Sequence, residues 1–136
     1  MSIFSSPRFL RNVLLADAAS GLAGGILQLA FTDALAQHTN LPVELLLGTG
    51  WFLLAYAAFA AYVGTRVPVP RSVVWLLVLG NLAWGVACVV LLLSGAVQPS
   101  SWGVAYVVLQ AVGVTIMAEL QWFGLRHAPQ GRLATA

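Results

Sequence analysis

Lysine is missing from these 136 residues, and acids nearly so: six arginines stand against Asp17, Asp33, Glu44 and Glu119, and charged residues make up only 7% of the chain. Soluble domains carry about 25%, so this composition excludes an ordinary water-facing surface. Without lysine, and without a basic run interleaved with aromatics, the pI of about 9.2 does not signal a nucleic-acid groove, and nucleic acid is not an expected partner. A single cysteine, Cys88, excludes an intrachain disulfide or a two-thiol redox motif. The two histidines, His38 and His127, are never paired within a span, and no zinc-ligand spacing occurs. A Ser or Cys nucleophile beside a His base is missing within the apolar segments, as is a glycine-rich phosphate loop with its lysine. No catalytic residue, metal ligand or cofactor is therefore assigned, and the chain is not expected to be an enzyme.

What remains is apolar. Hydrophobic residues make up 60% of the sequence, and the mean hydropathy is +0.91. Four segments, at about 12–33, 45–66, 73–94 and 102–124, each reach the roughly 20 residues with which an α-helix crosses hydrocarbon. The connections are short and hold turn-forming residues: Asn40 and Pro42, then Pro68 and Pro70, then Pro99 with two serines. Asn40, Ser72 and Ser100 or Ser101 are the expected helix caps. The fold class expected is all-α integral membrane, an antiparallel bundle of four transmembrane helices forming one domain over 1–136.

Arginine sets the orientation. Arg8 and Arg11 precede the first segment, Arg66 and Arg71 lie between the second and third, and Arg126 and Arg132 follow the fourth, while the other two connections have no Arg or Lys. Positive charge near span ends stays cytoplasmic, which predicts both termini inside. The pattern suits a bacterial inner membrane. A signal peptide is the competing reading of the first segment, with Ala34 and Ala36 before a cleavage point, but that segment exceeds the usual apolar length and Asp17 interrupts it.

Helices in lipid associate through small residues and polar contacts. Gly21 and Gly25 form a GxxxG pair, Gly24 extends a parallel strip with Ala16 and Ser20, and Ala57, Ala61 and Gly64 make a similar strip in the second span. These surfaces are expected to pack helices within the bundle or between copies in a homo-oligomer. Trp51, Tyr62, Trp102 and Trp122 stand near span ends, where aromatics anchor at the interface.

Two acids interrupt the apolar spans. Asp17 and Glu119 each lie five residues inside a predicted boundary, about 8 Å at 1.5 Å per residue. A charge in hydrocarbon faces the bundle interior, a partner or water. If the first and last helices touch there, the two carboxyl groups share a proton. The alternative is that arginines such as Arg8, Arg11 or Arg126 snorkel to neutralise them. The candidate intramembrane polar site is Asp17, Ser20, Asn81, Thr115 and Glu119. Asn81 shares a face with Trp84, Gly85 and Cys88. Gln28 and Gln110 are further polar residues at membrane depth, and Gln110 stands opposite Glu119 on an ideal helix, which points to a partner on one side of the fourth span.

The expected function is that of a small polytopic membrane protein serving as a non-catalytic packing or interaction subunit, with the bilayer and another copy or membrane subunit as partners. The alternative is a small proton- or cation-coupled transporter using Asp17 and Glu119. In its four short spans and the Ala16-Asp17 placement in the first, the chain resembles the small multidrug resistance family, which implies proton exchange for a lipophilic cation. It is longer than that family, has Asp where the family has Glu, adds Glu119 and carries a fixed arginine bias, so no site residue is carried over.

Overall fold

The computed structural model describes residues 3–128. A short 3-10 turn at Ile3–Ser5 leads into α1 (Pro7–Ala30), the eight-residue α2 (Thr32–Thr39), α3 (Val43–Thr65), α4 (Arg71–Leu93) and α5 (Ser101–His127). No strand occurs among the described residues. Four helices, α1, α3, α4 and α5, are long and apolar enough to cross a membrane.

The first helix starts five residues earlier than the apolar pattern indicates, because local chemistry sets its start. The Ser6 hydroxyl accepts from the Arg8 N–H at 3.3 Å, and Pro7 occupies the first position, where a missing N–H removes no helical bond. It also stops earlier. Phe31 leaves helical geometry at φ −121, ψ 31, and a separate helix follows. The Thr32 hydroxyl donates to the Gln28 carbonyl at 2.6 Å across this break. The connection between the first two segments is helical to Thr39, and Asn40 closes α2 in the left-handed conformation, φ 55. Asn40 is thus a C-cap, not an N-cap. Ser72 lies inside α4, whose N-cap is Pro70. Ser100 does cap α5, accepting from the Gly103 N–H at 3.1 Å.

The long helices form two antiparallel pairs, α1 with α3 and α4 with α5, while α3 and α4 scarcely touch. Small residues let α1 and α3 approach closely. A Cβ added at Gly21 would meet Ala57 at 3.5 Å, and one at Gly25 would stand 3.0 Å from the Gly50 carbonyl. Gly64 faces Leu14 and Leu15, Ala57 is buried, and Ala61 packs against the core. The pairs meet at both ends. At one end Leu10 lies against Gly124, and Phe4 is 6.4 Å from Phe123. At the other, the Ser100 N–H donates to the Thr39 carbonyl at 2.9 Å and the Asn40 amide to the Gln98 carbonyl at 2.6 Å. Two apolar clusters result, one around Leu10, Leu14, Val63, Val74 and Leu125, the other around Leu41, Leu46, Cys88 and Val107. Arg8, Arg11, Arg66, Arg71 and Arg126 all fall at the first end; Arg132 lies outside the described residues. Between the clusters the helices leave a half-open cavity.

Candidate functional site

Each long helix supplies one polar side chain to a single buried cluster. Asp17 of α1 is 3% exposed, and its Oδ2 accepts three hydrogen bonds: from the Tyr56 hydroxyl of α3 at 2.6 Å, the Asn81 amide of α4 at 2.9 Å and the Gln121 amide of α5 at 2.6 Å. The Asn81 amide also donates to the Tyr56 oxygen at 2.9 Å and to Gln121 Oε1 at 3.4 Å. Tyr56, Asn81 and Gln121 each donate to one oxygen that, in a carboxylate, only accepts, and the two protons of the Asn81 amide are shared among three acceptors. The partners of Asp17 are all neutral, and Oδ1 takes no hydrogen bond among the described residues.

Depth explains how four helices reach one point. Asp17 is ten residues from the start of α1 and Asn81 ten from the start of α4, about 15 Å each; Tyr56 is nine from the end of α3 and Gln121 six from the end of α5, about 14 and 9 Å. Asp17 is deeper than the sequence pattern indicates because α1 begins at Pro7. Along α1, Asp17, Gly21, Gly24 and Gln28 follow the i, i+4, i+7, i+11 spacing of one helix face, and all four line the cavity, whose volume is about 600 Å³. Tyr56 and Asn81 line it too, while Gln121, fully buried, supports the carboxylate from behind.

A second polar set lies near the other end. Gln28, also buried, donates from its amide to the Tyr106 hydroxyl at 2.7 Å and accepts from the Thr49 hydroxyl at 2.8 Å. The Trp84 indole donates to Gln110 Oε1 at 3.3 Å, and its ring stacks on Phe52 at 5.4 Å, across the gap between α3 and α4. Gly24, Leu53, Ala83 and Gly113 are among the residues lining the space between the two sets.

Of the five residues expected to form a polar site, the structure brings together Asp17 and Asn81. Ser20 donates to the Asp17 carbonyl at 2.8 Å, and Thr115 to the Ala111 carbonyl at 2.7 Å, each within its own helix. Glu119 is exposed on the outer side of α5. It stands two residues, about 200°, from the inward-facing Gln121, so the pairing of the two acids does not form. The arginines expected to neutralise Asp17 are exposed and give it no hydrogen bond. Tyr56 and Gln121 are the members that sequence reasoning missed. Tyr56 reads as part of an aromatic strip with Phe52 and Phe59, and Gln121 sits among the aromatic residues near the span end. Their common signal is depth, visible only once α1 is paired with α3 and α4 with α5. Among the described residues, no three His, Cys, Asp or Glu side chains come together as a metal site would require.

These features define an all-helical chain with four potential membrane spans and a carboxylate buried beside an apolar cavity. No family model matches the sequence, and no curated protein or solved structure matches it.

Proposed function

We propose that the chain is an integral protein of a bacterial inner membrane, crossing it four times with both termini cytoplasmic, and that its cavity binds a small amine-bearing molecule drawn from the lipid phase. The membrane reading rests on the outward face: Leu22, Ile26, Phe59, Val86, Leu109 and Ile116 are exposed along the four long helices. An apolar surface of that kind is at home in hydrocarbon and a liability in water. Arginine at one end of the assembly supports the orientation.

The observation that carries the ligand is the asymmetry of Asp17. One oxygen is held by three neutral donors, so the side chain is fixed without a counter-ion, and the other takes no hydrogen bond among the described residues, on a side chain that lines the cavity. An intramembrane acid marks a substrate or proton pathway. An ammonium group donating to Oδ1 supplies the missing opposite charge, and aromatic Phe52 and Trp84 flank the same space. A proton on that oxygen excludes the ammonium, which is the exchange a proton-coupled carrier uses. Titration calorimetry on the detergent-purified protein tests this with hexylamine and hexanol. Hexylamine is expected to bind at least tenfold more tightly than hexanol, and Asp17→Asn to remove that preference. Equal affinity for the two, or a preference that survives in the variant, overturns the reading.

One observation favours a second reading, that of an interaction subunit. Glu119 is exposed at span depth between Ile116 and Phe123, where a carboxylate calls for a partner helix bearing a donor or cation. Affinity purification in mild detergent checks it: a membrane protein lost on Glu119→Gln supports it, and an unchanged profile removes it.

A further inference from the structure

Beyond the main cavity lies a smaller one of about 220 Å³. The two share five lining residues, Gln28, Trp84, Ala87, Tyr106 and Gln110, so they adjoin at a boundary, the waist. The waist consists of the Gln28–Tyr106 and Trp84–Gln110 hydrogen bonds, at 2.7 and 3.3 Å. Beyond it the walls are Leu41, Leu45, Leu46, Cys88, Leu91 and Val107 with Thr49, and carry no charged group. Walls of this composition favour hydrocarbon over a charged head.

From these features we infer that the ligand is a single-chain amphiphile, an alkylamine or alkylammonium, with its head on Asp17 Oδ1 and its tail passing the waist into the outer chamber. The inference rests on the Asp17 reading and adds the shape and length of the molecule. Cys88 lies seven residues past Asn81, the Asp17 partner on α4, about 10 Å along the axis, a distance that an extended twelve-carbon chain exceeds and a six-carbon chain does not reach. Small residues line the way, Gly21, Gly24, Ala83 and Gly113, and two adjoining chambers, one with a carboxylate and one without a charged group, suit a ligand with a head and a tail. The polar waist belongs in the account. Gln28 is already held by Tyr106 and Thr49, so a methylene chain passing beside it strips no hydrogen bond.

Cys88, the only cysteine, lines the outer chamber and not the inner one, which makes the native chain its own reporter. The experiment follows its alkylation by N-ethylmaleimide in the purified protein, with hexylamine or dodecylamine each added at a concentration that calorimetry shows to be saturating. Both amines are expected to bind through Asp17, and only dodecylamine to slow the alkylation, at least tenfold. Leu45→Cys in a Cys88→Ser background gives a second reporter in the same chamber. Val107→Phe, which fills that chamber, is expected to weaken dodecylamine by tenfold or more and leave hexylamine unchanged. If both amines bind and neither or both protect Cys88, or if Val107→Phe affects them equally, the tail assignment is overturned while the Asp17 reading stands. Binding of neither amine, or binding indifferent to Asp17→Asn, removes both.

Discussion

Asp17 uses its two oxygens differently, and substitutions should separate those uses. Asp17→Asn keeps a carbonyl that can accept from Tyr56 and Gln121, so near-normal expression is expected alongside the loss of amine binding. Gln121→Leu has the opposite signature. It removes a donor behind the carboxylate, and a buried group left short of partners costs about 1–3 kcal/mol, read as a lower thermal midpoint in detergent with amine selectivity retained in the folded fraction. A midpoint unchanged within error would show that the network contributes nothing to stability. At this scale half of the cluster was legible: an Asp and an Asn inside apolar spans draw attention because nothing in lipid explains them. Tyr56 and Gln121 were not, since a tyrosine or glutamine in a span has several ordinary uses and only the register between helices selects one. Glu119 misled for the same reason, as depth is readable along one helix but the facing direction depends on what the helix packs against.

Among the elements, α1 and α3 are joined by backbone proximity rather than by large side chains, at glycines whose spacing left open whether they pack within the bundle or between copies. Gly25→Leu must displace Leu54 or push against the Gly50 carbonyl; overpacking of this kind costs about 1–3 kcal/mol. Gly103→Ala is expected to be at least as harmful, because its new methyl collides with the Thr39 carbonyl, which is backbone and cannot turn away. Gly48→Ala meets nothing within 4 Å and should leave the thermal midpoint unchanged or slightly raised. Equal effects in all three would contradict the packing described here. Four long helices were visible from hydropathy alone. Their ends were less so: α1 begins where Ser6 and Pro7 satisfy its first turn, and α2 arises from a break at Phe31 that no glycine or proline marks.

For the molecule as a whole, the gathering of arginines at one end predicts a definite answer to labelling from either side of the membrane. A cysteine placed at Pro68 in a Cys88→Ser background should react with an impermeant reagent from the cytoplasmic side, and one at Gln98 from the opposite side. Reversal of either result would overturn the orientation. The pairing of helices carries one more consequence. Because α1 through α3 and α4 with α5 each form a hairpin that starts and finishes at the arginine end, and because α3 meets α4 mainly through Tyr56 with Asn81 and Phe52 with Trp84, cutting the peptide link through Pro68 is expected to leave both hairpins whole. A gene split there would yield two fragments able to insert independently, and the Asp17 cluster, with two members on each fragment, would be the recognition code by which they reassemble.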